Sequence, residues 1–178
     1  QEGLDIQFGA NDMQVTVGAS IKLGTLHVAL AVRNRALPLG KWDDLSVVGF
    51  TIGGGFSDIA RYYGLACDWV ISADLIVADG SLVTVKNGDN LLWHLRGGGG
   101  GNGVITSLTF NLIPNLPHLI SYSVTWSSTA AAEIIHWWSD RQINATMSDI
   151  VDNFGMRLIL SSSVPGRLEM NGLYVIPD

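Results

Sequence analysis

The stretch that decides the fold lies at residues 45–64 and reads LSVVGFTIGGGFSDIARYYG. Its β-branched, apolar part from Leu45 to Ile52 predicts a strand, and Ile59 to Tyr63 predicts a short helix that ends at Gly64. Three glycines separate the two. Because glycine has no Cβ, the backbone can approach a ligand closely and turn its N–H groups toward a phosphate. A bare Gly-Gly-Gly also marks simple turns, so the run alone leaves both interpretations open.

A second glycine run begins at residue 97, and Gly98, Gly100 and Gly103 formally satisfy the pattern G-x-G-x-x-G. In a dinucleotide-binding fold this pattern follows a strand and opens a helix. Here the helix-like segment Leu91 to Leu95 precedes it, and the β-rich segment Val104 to Phe110 follows. This order of elements argues against that fold.

The remaining pattern predicts an α+β protein with two domains. Asp79-Gly80 between two apolar runs is a strong hairpin signal. Pro114 and Pro117 bracket a junction, which divides the chain into residues 1–116 and 117–178. The other predicted elements are strands at 14–17, 104–113, 120–126, 154–160 and 168–175, and helices at 23–32 and 90–95 and around Ala131 to Trp138, with Pro165-Gly166 joining the last two strands.

Composition excludes several classes of function. The formal charge of -6 and the pI of about 5.0 argue against a nucleic-acid surface, which needs clustered Lys and Arg. No apolar run reaches the length of about 18 residues that a membrane-spanning helix needs. The single cysteine, Cys67, excludes an internal disulfide and a Cys-based zinc site, and the four histidines lack metal-ligand spacing. We therefore expect no metal.

Common catalytic motifs are also missing. Ser57 has no glycine two residues later, as a G-x-S-x-G nucleophile elbow requires, and no P-loop lysine follows a glycine run. These observations argue against hydrolases and nucleoside triphosphatases. The triplet Asn144-Ala145-Thr146 is a glycosylation sequon and is compatible with a secreted glycoprotein.

Several short motifs in one order resemble the berberine bridge enzyme-like group of the vanillyl-alcohol oxidase superfamily. They are Val15-Thr16-Val17-Gly18-Ala19, Ala36-Leu37-Pro38, Val47 to Gly55, Arg61-Tyr62-Tyr63-Gly64-Leu65-Ala66-Cys67-Asp68, Val77-Ala78-Asp79-Gly80, and Leu95 to Thr106. The match covers about Leu4 to Pro114. The tail resembles the opening of that family's α+β substrate domain, so the chain is expected to hold a partial FAD-binding domain followed by the start of the second domain.

The resemblance implies an FAD-dependent oxidase in which the flavin lies between the two domains. A substrate alcohol of a carbohydrate or a secondary metabolite would give hydride to the flavin, and molecular oxygen would reoxidise it to yield hydrogen peroxide. The implied partners are this small-molecule substrate, oxygen, and the remainder of the same polypeptide. The net charge and the short apolar runs argue against a nucleic-acid or membrane partner.

Carried over position by position, the cofactor would be lined by Leu45, Ser46, Gly49, Phe50, Gly53, Gly54 and Gly55, with the backbone of Gly103, Val104 and Ile105 approaching it. The family's Arg-Ser-Gly-Gly-His phosphate loop would precede Gln1, and its catalytic base would lie beyond Asp178. No catalytic residue is therefore named. The isolated segment is expected to bind FAD poorly and to be inactive.

Three departures from the family pattern favour a second interpretation: Ser46 and Ser57 stand where Gly is usual, and the Phe usual between Asn102 and Gly103 is absent. Trp42 stands where bicovalent members carry Cys, so a thioether link to the flavin cannot form there. Added side chains would crowd a site that depends on close backbone approach. The alternative is a non-redox scaffold or cyclase of the same fold that has lost flavin chemistry.

Overall fold

The computed structural model describes residues 6–115, 118–143, 154–160 and 167–176. These residues form two compact units, the first made of residues up to 60 together with 64–116, and the second of 61–63 with the residues from 117 onward. Both units combine helices with antiparallel sheets. The predicted α+β class is therefore confirmed.

The first unit is built on a five-stranded antiparallel sheet with the order β1-β2-β5-β3-β4. The second contains a three-stranded antiparallel sheet with the order β6-β8-β7. The strands are β1 Ile6–Phe8, β2 Gln14–Gly18, β3 Val70–Ile76, β4 Leu82–Lys86, β5 Val104–Asn111, β6 His118–Ser127, β7 Phe154–Leu160 and β8 Arg167–Ile176. The helices are α1 Leu23–Val32, α2 Val47–Ile52, α3 Ala60–Tyr63, α4 Asn90–Leu95 and α5 Ala131–Ile143, with 3-10 turns at Ala66–Trp69 and Ser128–Ala130.

The core of the first unit lies between its sheet and three helices. Helix α1 buries Leu23, Leu26 and Leu30, which recur at the spacing of one helix face. Strand β5 supplies Leu108 and Phe110, both with 1% or less of their surface exposed. Since each such side chain stabilises the fold by about 1.5 to 3 kcal/mol when fully buried, this cluster holds α1 against the sheet.

The predicted strand from Leu45 to Ile52 was wrong, because the chain forms helix α2 from Val47 onward. Ser46 is extended, and its hydroxyl accepts a hydrogen bond from the Gly49 N–H at 3.3 Å, which caps the first turn. The helix then buries Val47, Val48 and Thr51 on one face. A short apolar run has no periodicity that separates a buried strand from a buried helix, and here the cap decides.

The hairpin between β3 and β4 is confirmed. The Val77 N–H donates to the Ser81 carbonyl at 3.0 Å and the Gly80 N–H donates to the Val77 carbonyl at 2.9 Å, with Gly80 at φ +85°. This is a three-residue loop with a left-handed glycine. The Ser81 hydroxyl and N–H both donate to the Asp79 carboxylate, and these bonds hold the pKa of that carboxyl below its usual range.

In the second unit, β8 is the central strand. A Cβ added at its Gly172 would lie 2.5 Å from the Tyr122 hydroxyl oxygen, so the tyrosine crosses over the glycine. The Tyr122 hydroxyl donates to the Gly155 carbonyl on β7 at 2.9 Å. One side chain from β6 therefore connects all three strands. The Asn144 sequon and Pro165-Gly166 lie outside the described residues.

Candidate cofactor site

The turn at Gly53 to Gly55 is held by backbone hydrogen bonds to its neighbours. The Gly54 N–H donates to the Thr51 carbonyl at 2.9 Å, while the carbonyls of Gly54 and Gly55 accept from the N–H groups of Cys67 and Ala66 at 3.1 and 3.0 Å. Gly54 and Gly55 have φ of +105° and +76°, a region that favours glycine. The turn therefore follows helix α2 and is fixed by hydrogen bonds to the 3-10 turn at Ala66–Trp69.

Packing explains why Gly55 is a glycine. It is buried, and a Cβ added to it would lie 2.5 Å from the Ala66 Cβ and 3.1 Å from Cε1 of Phe50. The Phe50 ring has a second glycine neighbour, since a Cβ on Gly40 would lie 2.9 Å from its Cε2. The half-buried Phe50 is thus confined between Gly40 and Gly55. Phe50 and Gly55 together form the packed side of the turn.

Gly49 and Gly53 are different, because nothing in the packing requires glycine there. Both are exposed, and a Cβ on either would meet no atom closer than 3.8 and 3.7 Å, which is ordinary van der Waals contact. Gly53 has an ordinary φ of -83°. Their bare backbone is therefore available to a ligand, and the partly exposed Leu45 lies just before the same helix.

The second glycine run meets the first. The Gly99 N–H donates to the Ile52 carbonyl at 2.9 Å, and a Cβ on Gly97 would lie 3.9 Å from the Gly54 Cα. Beyond this junction, nothing lies within 4 Å of a Cβ added to Gly100 or Gly101. The sequence-based list of site residues omitted this run, since no local signal shows that the two glycine segments touch.

The three residues at the start of β5 have different surroundings. Val104 is 68% exposed, whereas Ile105 is buried in the core. Gly103 has φ +153°, and a Cβ there would lie 2.5 Å from the Ile76 carbonyl oxygen on β3. Gly103 therefore lets β5 start close against β3, and Val104 offers an exposed apolar side chain beside it.

The two serines that replace glycine are accommodated within the fold. The Ser46 hydroxyl caps α2 and donates to the Ala19 carbonyl at 3.3 Å. Ser57 is 5% exposed, and its hydroxyl is sealed from solvent with no hydrogen-bond partner among the described residues. Because the Ser57 hydroxyl is not accessible to solvent, it cannot contact a ligand bound at the exposed glycines. Trp42, in contrast, is 69% exposed.

Charged and titratable groups near the turn serve the structure. Arg96 follows α4, and its Nε donates to the Val70 carbonyl at 2.9 Å, which fixes the start of the second glycine run to β3. Burial raises the pKa of the Cys67 thiol, and the Asp68 carboxylate adds to this effect. Within the part of the chain that the structure describes, no three His, Cys, Asp or Glu side chains are grouped as a metal ion requires. In the same part, no helix is long and apolar enough to cross a membrane.

Comparison with known proteins identifies the fold. Residues 5–86 match the FAD binding domain family. The chain is 30% identical to a xylooligosaccharide oxidase of Thermothelomyces thermophilus over 89% of its own length and 32% of that protein. It matches the crystal structure of a glucooligosaccharide oxidase of Acremonium strictum with a TM-score of 0.81 and 30% identity, covering 96% of this chain and 35% of that one. A variant of berberine bridge enzyme that is a reticuline dehydrogenase matches with a TM-score of 0.81 and 25% identity, over 96% of this chain and 34% of that one.

The chain belongs to the FAD-linked oxidoreductases of the berberine bridge enzyme-like type, which confirms the resemblance seen in its motifs. It has the FAD-binding domain of that fold, and FAD is the cofactor of this domain family. It spans about a third of the length of these three proteins.

The residues present fit a nucleotide cofactor. Gly49, Gly53, Gly100 and Gly101 leave open space where side chains would otherwise stand, and the Gly99 to Ile52 hydrogen bond fixes the two glycine segments together. A glycine-lined surface of this kind suits a diphosphate, because no side chain keeps the ligand away from the backbone. Trp42 has no thiol, so a thioether to the flavin cannot form at that residue.

Proposed function

We propose that this protein is an FAD-dependent oxidase that removes hydride from an alcohol group of a carbohydrate or a secondary metabolite, with molecular oxygen as the electron acceptor. The observation that carries the proposal is the meeting of the two glycine segments at Gly54 and Gly97, beside the open backbone of Gly49 and Gly53. This meeting supplies a cofactor surface made mainly of backbone. The relatives named as oxidases support the class of reaction.

The chain's own contribution is to hold and orient the cofactor. Gly49, Gly53 and Gly54 would approach it through their backbone, while Leu45 and Val104 offer exposed apolar side chains suited to an aromatic ring system. Ser46, Phe50, Gly55, Gly103 and Ile105 support this surface through the cap, the packing and the strand start described above. When bound, the flavin supplies the redox chemistry, and the protein supplies position and electrostatics. We assign no catalytic base.

Among carbohydrates, oligosaccharides are the first substrates to examine, since both relatives named as oxidases carry an oligosaccharide in their names. The acceptor needs a separate test, because another structural neighbour is named a dehydrogenase. The purified full-length protein should show the visible absorption bands of bound flavin. It should also consume oxygen and release hydrogen peroxide when an oligosaccharide is added.

The outcomes separate the proposals. Flavin bands that bleach with an oligosaccharide, stay bleached in air and return only when an artificial acceptor is added would support a dehydrogenase and contradict the oxidase. A folded but colourless protein that gains no colour when FAD is added would contradict both, and would support the scaffold or cyclase. Ser46 and Ser57 support the scaffold or cyclase less than the sequence suggested, because the fold accommodates both side chains and leaves the backbone of Gly49 and Gly53 exposed.

We also propose that the protein is secreted and glycosylated at Asn144, on the strength of the sequon. Enzymatic removal of N-linked glycans from the natural protein should reduce its mass and convert Asn144 to Asp. A culture in which the natural protein stays inside the cells with an unmodified Asn144 would contradict this proposal.

A further inference from the structure

The turn between β4 and α4 carries an exposed asparagine followed by a glycine. The Asp89 N–H donates to the Lys86 carbonyl at 2.9 Å, so Asn87 and Gly88 form the centre of this turn. Gly88 has φ +101°, it is exposed, and nothing lies within 4 Å of the position a Cβ would take. The backbone nitrogen of Gly88 is therefore free of steric shielding on that side.

A fixed cation contacts the Asn87 side chain. Nη2 of Arg96 donates a hydrogen bond to Oδ1 of Asn87, and the same guanidinium is held in place by the Val70 carbonyl. Arginine stays protonated at all relevant pH values. A charged donor on an amide oxygen withdraws electrons from the amide carbon, and it also stabilises the negative oxygen that forms when a nucleophile adds to that carbon.

We propose that Asn87 is a self-modification site, at which Arg96 promotes deamidation through a cyclic imide. The Gly88 backbone nitrogen loses its proton to solvent base and bonds to Cγ of Asn87, and the bond from Cγ to Nδ2 breaks, so that the nitrogen leaves as ammonia. Water then opens the ring. Attack at Cγ gives aspartate, and attack at the main-chain carbonyl gives isoaspartate. The balance is one water consumed and one ammonia released, with no oxidant or reductant.

Two further Asn-Gly steps in the chain provide internal references. Asn102-Gly103 is exposed, but none of the hydrogen bonds found among the described residues joins a charged donor to the Asn102 amide. Asn171-Gly172 lies in the central strand β8, paired on both sides, and Gly172 is buried. All three have the same local chemistry. Differences in their rates therefore report the fold and the contact with Arg96.

The product changes the attachment of the second glycine run. An aspartate at residue 87 would place a carboxylate against Arg96, and an isoaspartate would add one methylene to the backbone of the turn. Arg96 directly precedes Gly97, whose neighbour is Gly54. The modification thus acts on the residue that anchors this run to Val70. This consequence concerns the loop alone and holds whether or not the proposed oxidase activity is correct.

The test is to incubate the complete protein at mildly alkaline pH in water enriched in heavy oxygen, and then to digest it and measure each Asn-Gly peptide by mass spectrometry. We expect Asn87 to react about fivefold faster than Asn102, as a single hydrogen bond would give, while Asn171 stays intact. In urea the three rates should converge. Faster reaction at Asn102 than at Asn87 in the folded protein would overturn the proposal, as would persistence of the Asn87 amide for as long as that of Asn171.

A variant isolates the role of the cation. Arg96→Met should slow the reaction of Asn87 about fivefold. If the variant unfolds, Asn171 will react as well. The test then rests on the wild-type protein, in which the reaction rate of each asparagine in the folded state is divided by its rate in urea. That ratio should be about fivefold higher at Asn87 than at Asn102. An equal ratio at the two sites, or an unchanged Asn87 rate in a folded Arg96→Met protein, would contradict the proposal.

Discussion

Gly55 lies so close to Ala66 that a methyl group added to the glycine would stand 2.5 Å from the alanine Cβ. This contact shows that one end of the glycine turn is determined by packing and not by a ligand. The same glycine adopts φ +76°. Two separate reasons therefore exclude a side chain at this position.

The first prediction follows from that contact. Gly55→Ala should lower the free energy of unfolding by about 2 to 4 kcal/mol, because it combines backbone strain with overpacking. Gly53→Ala is the matched control, since Gly53 has φ -83° and space for a methyl group, and it should change stability by no more than about 0.5 kcal/mol. Urea unfolding followed by fluorescence measures both. Equal losses in the two variants would contradict the packing argument.

The second prediction separates cofactor affinity from stability. Gly49 is exposed inside helix α2, so Gly49→Ala should raise the free energy of unfolding by about 0.5 to 1 kcal/mol through helix propensity. If the bare backbone there faces the cofactor, the same methyl group should weaken FAD binding about tenfold or more, as a loss of about 1.4 kcal/mol would. Calorimetric titration of the FAD-free protein with FAD measures the affinity.

Its control is Thr25→Ala on the exposed side of α1, where alanine also improves helix propensity. This variant should gain stability and bind FAD as the wild-type protein does. Unchanged affinity in Gly49→Ala would remove Gly49 from the proposed cofactor surface. It would leave the other glycines to be tested in the same way.

Helices and strands whose apolar residues recur at a regular spacing could be predicted from the sequence. Helix α1 begins and ends as predicted at Leu23 and Val32, because its apolar residues recur at helical spacing over three turns. Strand β7 also has its predicted bounds, Phe154 and Leu160. Helix α2 was missed, because six residues are too few to show a period and the Ser46 cap is a local detail that outweighs β propensity.

The candidate site was only partly predictable. The two glycine runs suggested a ligand, yet the sequence could not separate Gly55, which packs against Ala66, from Gly53, which stays open. The contact between Gly97 and Gly54 joins residues far apart in the chain, so only the tertiary fold reveals it. Long-range packing decides both points, and no local pattern encodes it.

The third prediction concerns the hairpin loop. Gly80→Val should lower the free energy of unfolding by about 1 to 2 kcal/mol, because valine is strained at φ +85° although no atom lies within 4 Å of its Cβ. Gly80→Asn should cost less, since asparagine tolerates the left-handed region. FAD affinity should stay unchanged in both variants. A selective loss of FAD from Gly80→Val would show that this loop contacts the cofactor.

The fourth prediction concerns pH. Burial raises the pKa of the Cys67 thiol, so folding favours its neutral form. The stability that this group contributes is fully present below its unfolded pKa, which is about 8.5, and is lost as pH rises through the higher folded pKa. Wild-type protein should therefore lose more stability than Cys67→Ala over that alkaline window. Thiol reagents should label folded protein slowly and unfolded protein fast. Parallel stability curves for the two proteins would contradict the raised pKa.

The last prediction tests the cross-strand contact in the second unit. The Tyr122 hydroxyl donates to the Gly155 carbonyl at 2.9 Å, and Tyr122→Phe leaves that carbonyl without this donor while keeping the ring over Gly172. The free energy of unfolding should fall by about 1 kcal/mol. The control is the adjacent Ser123→Ala, which removes an exposed hydrogen bond of 3.1 Å to Glu169 and should cost no more than about 0.5 kcal/mol. Because the two residues point to opposite faces of β6, hydrogen exchange at β7 amides should rise only in Tyr122→Phe. Exchange that rises equally in both variants would mean that the tyrosine hydroxyl does not hold β7 in place.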